Sequence, residues 1–178
     1  WLLDVAPHPD FARNGWIYLH HTDRCTDCNA LSRKSKRPVS MNRLIRGRIR
    51  DGAWVDQEIL WQADPETYTD TSDLTAGGRI AFDGRGHVFF SVGMKAPLEF
   101  LGIQDLSLPY GKIHRLHDDG RVPADNPFVK TPGALPSIWT YGHRSPQGLE
   151  WNTRTRAAWS TDLGPRGGDE LNRLLPGR

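Results

Sequence analysis

Short runs of apolar and aromatic residues alternate with polar turn signals along the whole chain. These runs predict ten strands, at residues 2–6, 16–21, 43–50, 54–61, 79–82, 87–92, 112–116, 138–141, 148–151 and 157–161. Turn-forming pairs stand between several of them, namely Asp51-Gly52, Asp83-Gly84 and Asp119-Gly120. Sustained helical periodicity is scarce, and residues 104–108 are long enough for only one helical turn. The pattern therefore predicts an all-β protein.

Three segments look like copies of one hairpin, each with an apolar strand, a polar turn and an aromatic-rich strand. They begin at Leu2, Gly78 and Gly148, so successive copies start about 70 to 76 residues apart. A unit repeated at such a period favours a radial or stacked architecture. An ordinary β-sandwich, in which the similarity of the hairpins is a coincidence, is the alternative.

Composition supports a turn-rich single domain with a core of its own. The chain has 178 residues, of which 37% are hydrophobic, 18 are glycine and 13 are proline. Its formal net charge of +2 points neither to nucleic acid nor to a strongly acidic partner. No apolar run approaches the roughly 18 residues of a membrane span, and no signal-peptide pattern is visible.

A polar, basic stretch at residues 23–40 lacks apolar periodicity and is interpreted as an insertion. Its short basic run, residues 33–37, could bind phosphate groups, but a solvated loop is favoured. The stretch also holds Cys25 and Cys28. A loop thiol pair or a local disulfide is favoured over a redox or metal role, because tetrahedral zinc wants four ligands. A c-type haem motif is excluded, since Asn29 stands where histidine would be needed.

The histidines do not form an evident metal pair in the sequence. His114 and His117 are three apart on a predicted strand, so their side chains should point to opposite faces. His20 and His21 are adjacent and should diverge in the same way. Ordinary polar roles are therefore expected for these residues.

Five phrases, in order from residue 2 to residue 172, together resemble one family. They lie at residues 2–11, 77–83, 111–128, 141–149 and 164–172. The family is that of the glucose/sorbosone dehydrogenases, which are soluble sugar dehydrogenases that use pyrroloquinoline quinone, and the chain is most similar to their bacterial aldose branch. The resemblance implies a six-bladed β-propeller. At this length the chain would cover roughly three blades, so we expect residues 1–178 to be a partial propeller domain, either a fragment or a shortened relative.

The same resemblance implies a chemistry. In this family a histidine acts as general base on the C1 hydroxyl of an aldose, an aspartate orients that histidine, and a calcium-bound quinone takes the hydride. The resemblance thus implies the quinone and calcium as cofactors, an aldose and an electron acceptor as partners, and a periplasmic or secreted location. It assigns metal binding to Gly164 and Pro165, and cofactor contacts to Arg144, Ser145, Arg79 and Asp169.

Two departures from the family pattern bear on activity. The position of the base is occupied by Thr75, and that of the orienting aspartate by Met94. A threonine hydroxyl is no base near neutral pH without an activator of its own. Two smaller differences are Ser145 where asparagine is common and Leu163 where histidine or glutamine is common. Two hypotheses follow: a quinone-dependent sugar dehydrogenase that is weak or inactive, and a non-catalytic propeller that serves as a binding module.

Overall fold

The architecture is almost entirely β, as the sequence pattern predicts. The computed structural model describes residues 1–95 and 100–178. The strands in these residues are β1 (Leu2–Pro7), β2 (Ile17–Cys25), β3 (Val39–Arg50), β4 (Ala53–Gln62), β5 (Gly77–Phe82), β6 (His87–Val92), β7 (Lys112–His117), β8 (Ile138–Tyr141), β9 (Pro146–Asn152), β10 (Ala157–Asp162) and β11 (Glu170–Leu174). Two short helices, α1 (Phe11–Asn14) and α2 (Ala30–Ser35), and 3-10 turns such as Asp73–Thr75 complete the elements.

The strands form three antiparallel sheets that follow one another along the chain. Their orders are β1-β2-β3-β4, β5-β6-β7-β8 and β9-β10-β11. Each of the three predicted hairpins supplies the first two strands of one sheet. The first strands of consecutive sheets contact each other, β1 with β5 and β5 with β9. This succession is that of neighbouring propeller blades around an axis, and the β-sandwich alternative is wrong.

The core lies between the blades because alternate residues of each strand face opposite neighbours. Phe90 of β6 packs with Trp61 at a ring-centroid distance of 5.1 Å, between the first and second sheets. Its neighbour Phe89 stacks on Trp151 at 5.5 Å, between the second and third sheets. Both phenylalanines are buried, so the middle sheet contributes to two cores at once.

Some elements differ from the sequence prediction. β11 was not predicted, because its exposed, polar sequence becomes a strand only through antiparallel pairing with β10. Residues 104–108 form no helical turn of their own; the 3-10 helix Phe100–Ile103 lies just before them. The other strands lie where they were predicted, within a few residues at each end.

The basic run at residues 33–37 is solvated, as expected, but the stretch at residues 23–40 that contains it is ordered rather than an irregular loop. β2 continues to Cys25, which pairs with Val39 at the start of β3. Between them lie a disulfide that joins Cys25 to Cys28, one of the two outcomes favoured from the sequence, and the helix α2. Asn29 caps this helix, since its side chain accepts a hydrogen bond from the Ser32 backbone N–H.

The Asn29 side chain also fastens the segment to the rest of the blade. Its Nδ2 donates to the carbonyl oxygens of Pro65 at 2.9 Å and Tyr68 at 3.0 Å. Asn29 is buried, whereas the cations of the basic run are exposed. Local capping and these longer-range bonds therefore order a stretch that carries no hydrophobic periodicity.

Among the described residues, no helix is long and apolar enough to cross a lipid bilayer.

Candidate quinone site

The predicted site residues gather at the end of the blades where β5 and β9 begin. Ser91 of β6 holds these two starts together: its Oγ donates to the Pro146 carbonyl at 3.2 Å. The same oxygen accepts the backbone N–H groups of Gly78 at 3.0 Å and Arg79 at 2.9 Å. The family motif at residues 77–83 thereby lies beside the family motif at residues 141–149.

Positions 75 and 94, which the family resemblance assigns to the base and its orienting partner, are neighbours. Thr75 ends the 3-10 turn Asp73–Thr75, and its hydroxyl donates to the carbonyl oxygen of Met94. The backbones are so close that a Cβ atom added to Gly93 would lie 1.8 Å from the Thr75 carbonyl oxygen. The two residues are thus in contact through the Thr75 hydroxyl and the Met94 backbone, and neither side chain can accept a proton near neutral pH.

Arg144 lies next to this pair through its backbone. The Met94 N–H donates to the Arg144 carbonyl at 2.7 Å. The Arg144 side chain extends in another direction, where its Nη1 donates to the Leu163 carbonyl at 2.7 Å. Its Nε is buried and has no hydrogen-bond partner within the described ranges. A buried guanidinium N–H without an acceptor is costly, so this atom marks a place suited to an anionic or carbonyl-bearing ligand.

Arg144 shares one cleft with the loop at residues 164–172. The cleft has a volume of about 190 Å³, and its walls include Arg144, Asp162, Gly164, Pro165 and Ile103. The loop is tight: a side-chain carbon on Gly164 would lie 2.3 Å from the Gly168 carbonyl oxygen. The structure thus brings together three predicted site residues: Arg144, Gly164 and Pro165.

Asp169 supports the same loop but faces another space. Its Oδ1 accepts the Gly164 N–H at 2.9 Å. It lines an adjacent cavity of about 410 Å³ rather than the cleft that contains Arg144. Asp169 is therefore connected to the cleft through the Gly164 backbone.

Ser145 and Arg79 are linked to the site through Gln147. The Ser145 side chain is fully buried, and its Oγ accepts from Gln147 Nε2 at 2.8 Å. Arg79 Nε donates to the Gln147 carbonyl at 2.7 Å, while its guanidinium lies 3.9 Å from Asp4. Neither residue lines the cleft around Arg144. Their predicted contact with a cofactor stays a prediction.

A buried ion pair holds the turn that carries Thr75, and the sequence did not reveal it. Lys95 Nζ lies 2.5 Å from Asp73 Oδ1 and 2.6 Å from Ser40 Oγ, and its side chain is fully buried. Burial lowers the pKa of Lys95, although Asp73 opposes this effect. Burial would raise the pKa of Asp73, but the hydrogen bond and charge of Lys95 outweigh it and the pKa is lowered. The pair therefore favours the charged form of Asp73.

Two buried histidines lie behind the site, between the first and second sheets. His20 Nε2 is 3.1 Å from Asn42 Nδ2, and Asn42 Nδ2 also donates to the Ala76 carbonyl at 3.0 Å. His114 Nδ1 is 2.9 Å from Ser137 Oγ. Burial lowers the pKa of each imidazole to about 3. Both are therefore neutral near pH 7, in accordance with the polar roles expected from the sequence.

Comparison with known proteins decides the family. A family profile described as Glucose / Sorbosone dehydrogenase matches residues 1–178. The chain belongs to the glucose/sorbosone dehydrogenase family. One curated relative, the aldose sugar dehydrogenase YliI of Escherichia coli (strain K12), is 36% identical over 173 residues, which cover 96% of this chain and 43% of the relative.

Solved structures of the family agree with the fold. The apo form of the soluble aldose sugar dehydrogenase of Escherichia coli superposes with a TM-score of 0.85 at 34% identity, over 99% of this chain and 47% of that one. The PQQ-bound form of the aldose sugar dehydrogenase of Streptomyces coelicolor superposes with a TM-score of 0.72 at 25% identity, over 99% and 46%. The chain therefore spans less than half the length of these family members, and its three sheets correspond to part of the family's six-bladed propeller.

The fit to the two family cofactors differs. The buried, unpartnered Nε of Arg144 suits an acidic quinone. For a metal, the described part of the chain shows no group of three or more His, Cys, Asp or Glu side chains placed to hold an ion. A cation at this site would need backbone carbonyl oxygens, such as those of the tight loop at Gly164 and Pro165, and water.

Proposed function

We propose that the protein is a sugar dehydrogenase-like protein that binds pyrroloquinoline quinone in the cleft lined by Arg144, Gly164 and Pro165, and that oxidises aldoses weakly or not at all. The observation that carries this proposal is the Arg144 guanidinium, which lines the cleft and keeps a buried Nε without a partner in the described residues. Pyrroloquinoline quinone offers carboxylate and carbonyl oxygens, the acceptors that an arginine binds best.

Calcium is proposed as the second cofactor, held by the carbonyl oxygens of Gly164 and Pro165. Hard cations of this kind take backbone carbonyls as ligands, and the tight turn at Gly164 favours a fixed carbonyl direction. When bound, calcium would supply Lewis-acid polarisation of a quinone carbonyl. Asp169 would act on the loop rather than on the ion, because one of its oxygens already accepts the Gly164 N–H.

Proton transfer is the step for which the residue at the family's base position, Thr75, is unsuited. At the family's base position, the Thr75 hydroxyl donates its proton to the Met94 carbonyl, so it is engaged as a donor rather than as an acceptor. A positioned general base contributes about 10² to 10⁴ in rate, and its loss sets the expected deficit. If sugar turnover occurs, an aldose and a separate electron acceptor are the proposed partners, in the periplasm or outside the cell.

A non-catalytic binding module is the second candidate. The observation in its favour is the joint replacement of base and orienting residue by Thr75 and Met94, at positions that the structure keeps side by side. A module of this kind would use the propeller scaffold without calcium-dependent quinone binding.

Titration with pyrroloquinoline quinone, with and without calcium chloride, separates the two candidates. We expect quinone binding that tightens with calcium and weakens about 10- to 100-fold in Arg144→Ala, because a charge-assisted contact is lost from a desolvated site. Arg154→Ala is the control, since this arginine is exposed in the β9–β10 turn. Quinone binding that ignores both calcium and Arg144→Ala would reject the assignment and leave the binding module as the better account.

A further inference from the structure

We propose that Asp162 is a positioning residue of the quinone site, and that its carboxylate fixes the backbone of Arg144 and Ser145 so that the Arg144 guanidinium projects into the cleft. This inference rests on the proposed function. Asp162 is the last residue of β10 and is only 5% exposed. No sequence motif singled it out, and its role emerges from contacts across 17 to 18 residues of chain.

The hydrogen bonds of the Arg144–Ser145 backbone are fully accounted for, and Asp162 supplies half of them. Asp162 Oδ2 accepts the Arg144 N–H at 3.0 Å, and Oδ1 accepts the Ser145 N–H at 2.5 Å. The two carbonyl oxygens accept from Met94 N–H at 2.7 Å and Leu163 N–H at 3.0 Å. Four bonds from two chain segments, at Met94 and at Asp162–Leu163, therefore determine where the Arg144 side chain begins.

The carboxylate is placed there by an irregularity in the sheet. The pairing of β10 with β9 shifts register between Thr161 and Asp162, so that Asp162 lies opposite Pro146. Such a shift re-aims a side chain at the end of a strand. A buried carboxylate requires compensation, and two backbone N–H donors provide it, together with His143 Nδ1 at 3.4 Å.

Asp162 is itself part of the cleft wall, but both of its carboxylate oxygens accept backbone N–H groups, so we expect it to act on a ligand through the position of Arg144. Arg144 is part of the cleft wall, its Nη1 is anchored on the Leu163 carbonyl, and its Nε is buried without a partner in the described residues. If the Arg144 backbone were released, both donors would sample several positions. Displacements of about 1 Å at a binding group can cost about 100-fold.

Asp162→Asn tests the inference, with Asp83→Asn as the matched control. Asparagine has one acceptor oxygen, and its amide nitrogen would face the second N–H, so one of the two backbone bonds is lost. Asp83 is also buried, at 8% exposure, and its Oδ1 accepts the backbone N–H groups of Arg85 at 2.8 Å and His87 at 3.1 Å, in the β5–β6 turn away from the cleft. Both variants should lose thermal stability, but only Asp162→Asn should weaken binding of pyrroloquinoline quinone, by about 10- to 100-fold.

A double-mutant cycle distinguishes positioning from a general structural role. If Asp162 acts through Arg144, Asp162→Asn should have no further effect on quinone affinity in the Arg144→Ala background. Additive losses, or equal losses in Asp162→Asn and Asp83→Asn, would overturn the inference while leaving the proposed function in place. Failure of the unaltered protein to bind quinone, or an Arg144→Ala variant that binds normally, would overturn the proposed function itself and the inference with it.

One further variant keeps the test decisive if Asp162→Asn does not fold. Asp162→Glu retains both acceptor oxygens and the charge but moves them by one methylene group. It should fold, as shown by circular dichroism, and bind quinone with an affinity between those of the unaltered protein and Arg144→Ala. Affinity equal to that of the unaltered protein would contradict the requirement for a fixed carboxylate.

Discussion

Acidification should destabilise this protein through two histidines that are buried in their neutral form. His20 and His114 are fully buried, and His20 Nδ1 and His114 Nε2 have no hydrogen-bond partner in the part of the chain that the structure describes. Burial lowers the pKa of both to about 3. Histidine in an unfolded chain has a pKa near 6.5, so the unfolded chain binds more protons than the folded chain between pH 6.5 and pH 3.

The sign and size of the effect follow from this difference. Because the folded pKa lies below the unfolded one, the stability is fully present above pH 6.5 and is lost as the pH falls from 6.5 towards 3. At pH 5 the linkage relation gives a loss of about 2 kcal/mol for each histidine, and about 4 kcal/mol for the pair. At pH 6 the loss is about 0.8 kcal/mol for each.

Urea unfolding followed by tryptophan fluorescence at pH 7, 6 and 5 measures the effect. The free energy of unfolding is compared between pH 7 and pH 5. Its decrease over this range should be about 4 kcal/mol smaller in the double variant His20→Gln/His114→Gln than in the unaltered protein. His117→Gln, three residues from His114 on the same strand and only partly buried, is the control and should leave the fall unchanged. Equal pH dependence in the double variant and the unaltered protein would refute the reasoning, whatever the variants do to stability at pH 7.

Two further predictions concern the site itself. The assay uses quinone-loaded protein with calcium, an aldose and an electron-accepting dye. Thr75→His should raise the rate of sugar oxidation, up to the roughly 10²- to 10⁴-fold enhancement that a positioned base supplies, and addition of Met94→Asp should raise it further. No gain in either variant, with quinone bound, would contradict the assigned base position. Lys95→Met should cost about 3–5 kcal/mol in the free energy of unfolding, because it leaves the Asp73 carboxylate with hydroxyl donors but no cationic partner. Arg121→Met breaks an exposed pair with Asp119 and should cost about 0–1 kcal/mol, so similar losses in the two variants would show that the buried pair contributes no more than the exposed one.

The sequence by itself determined the parts of this protein that depend on local chemistry. Short apolar and aromatic runs and turn pairs such as Asp83-Gly84 predicted the hairpin of β5 and β6, and the interval between three similar hairpins predicted the succession of blades. These predictions succeed because each depends on residues close in sequence or on a repeated short motif. The family motifs also assign Thr75 and Met94 to the base and orienting positions; the two residues are in contact, and their roles stay predictions.

Tertiary structure decided what depends on contacts between distant segments. Lys95 is fully buried, contrary to the usual exposure of lysine, because Asp73 and Ser40 reach it from other parts of the chain. Likewise, the polar segment of β11 is a strand because its backbone pairs with the edge of β10. Asp162 accepts the Arg144 N–H from the end of β10, where the pairing with β9 shifts register. A residue type specifies which bonds a side chain can form, whereas the partners that meet it are set by the packing of the blades.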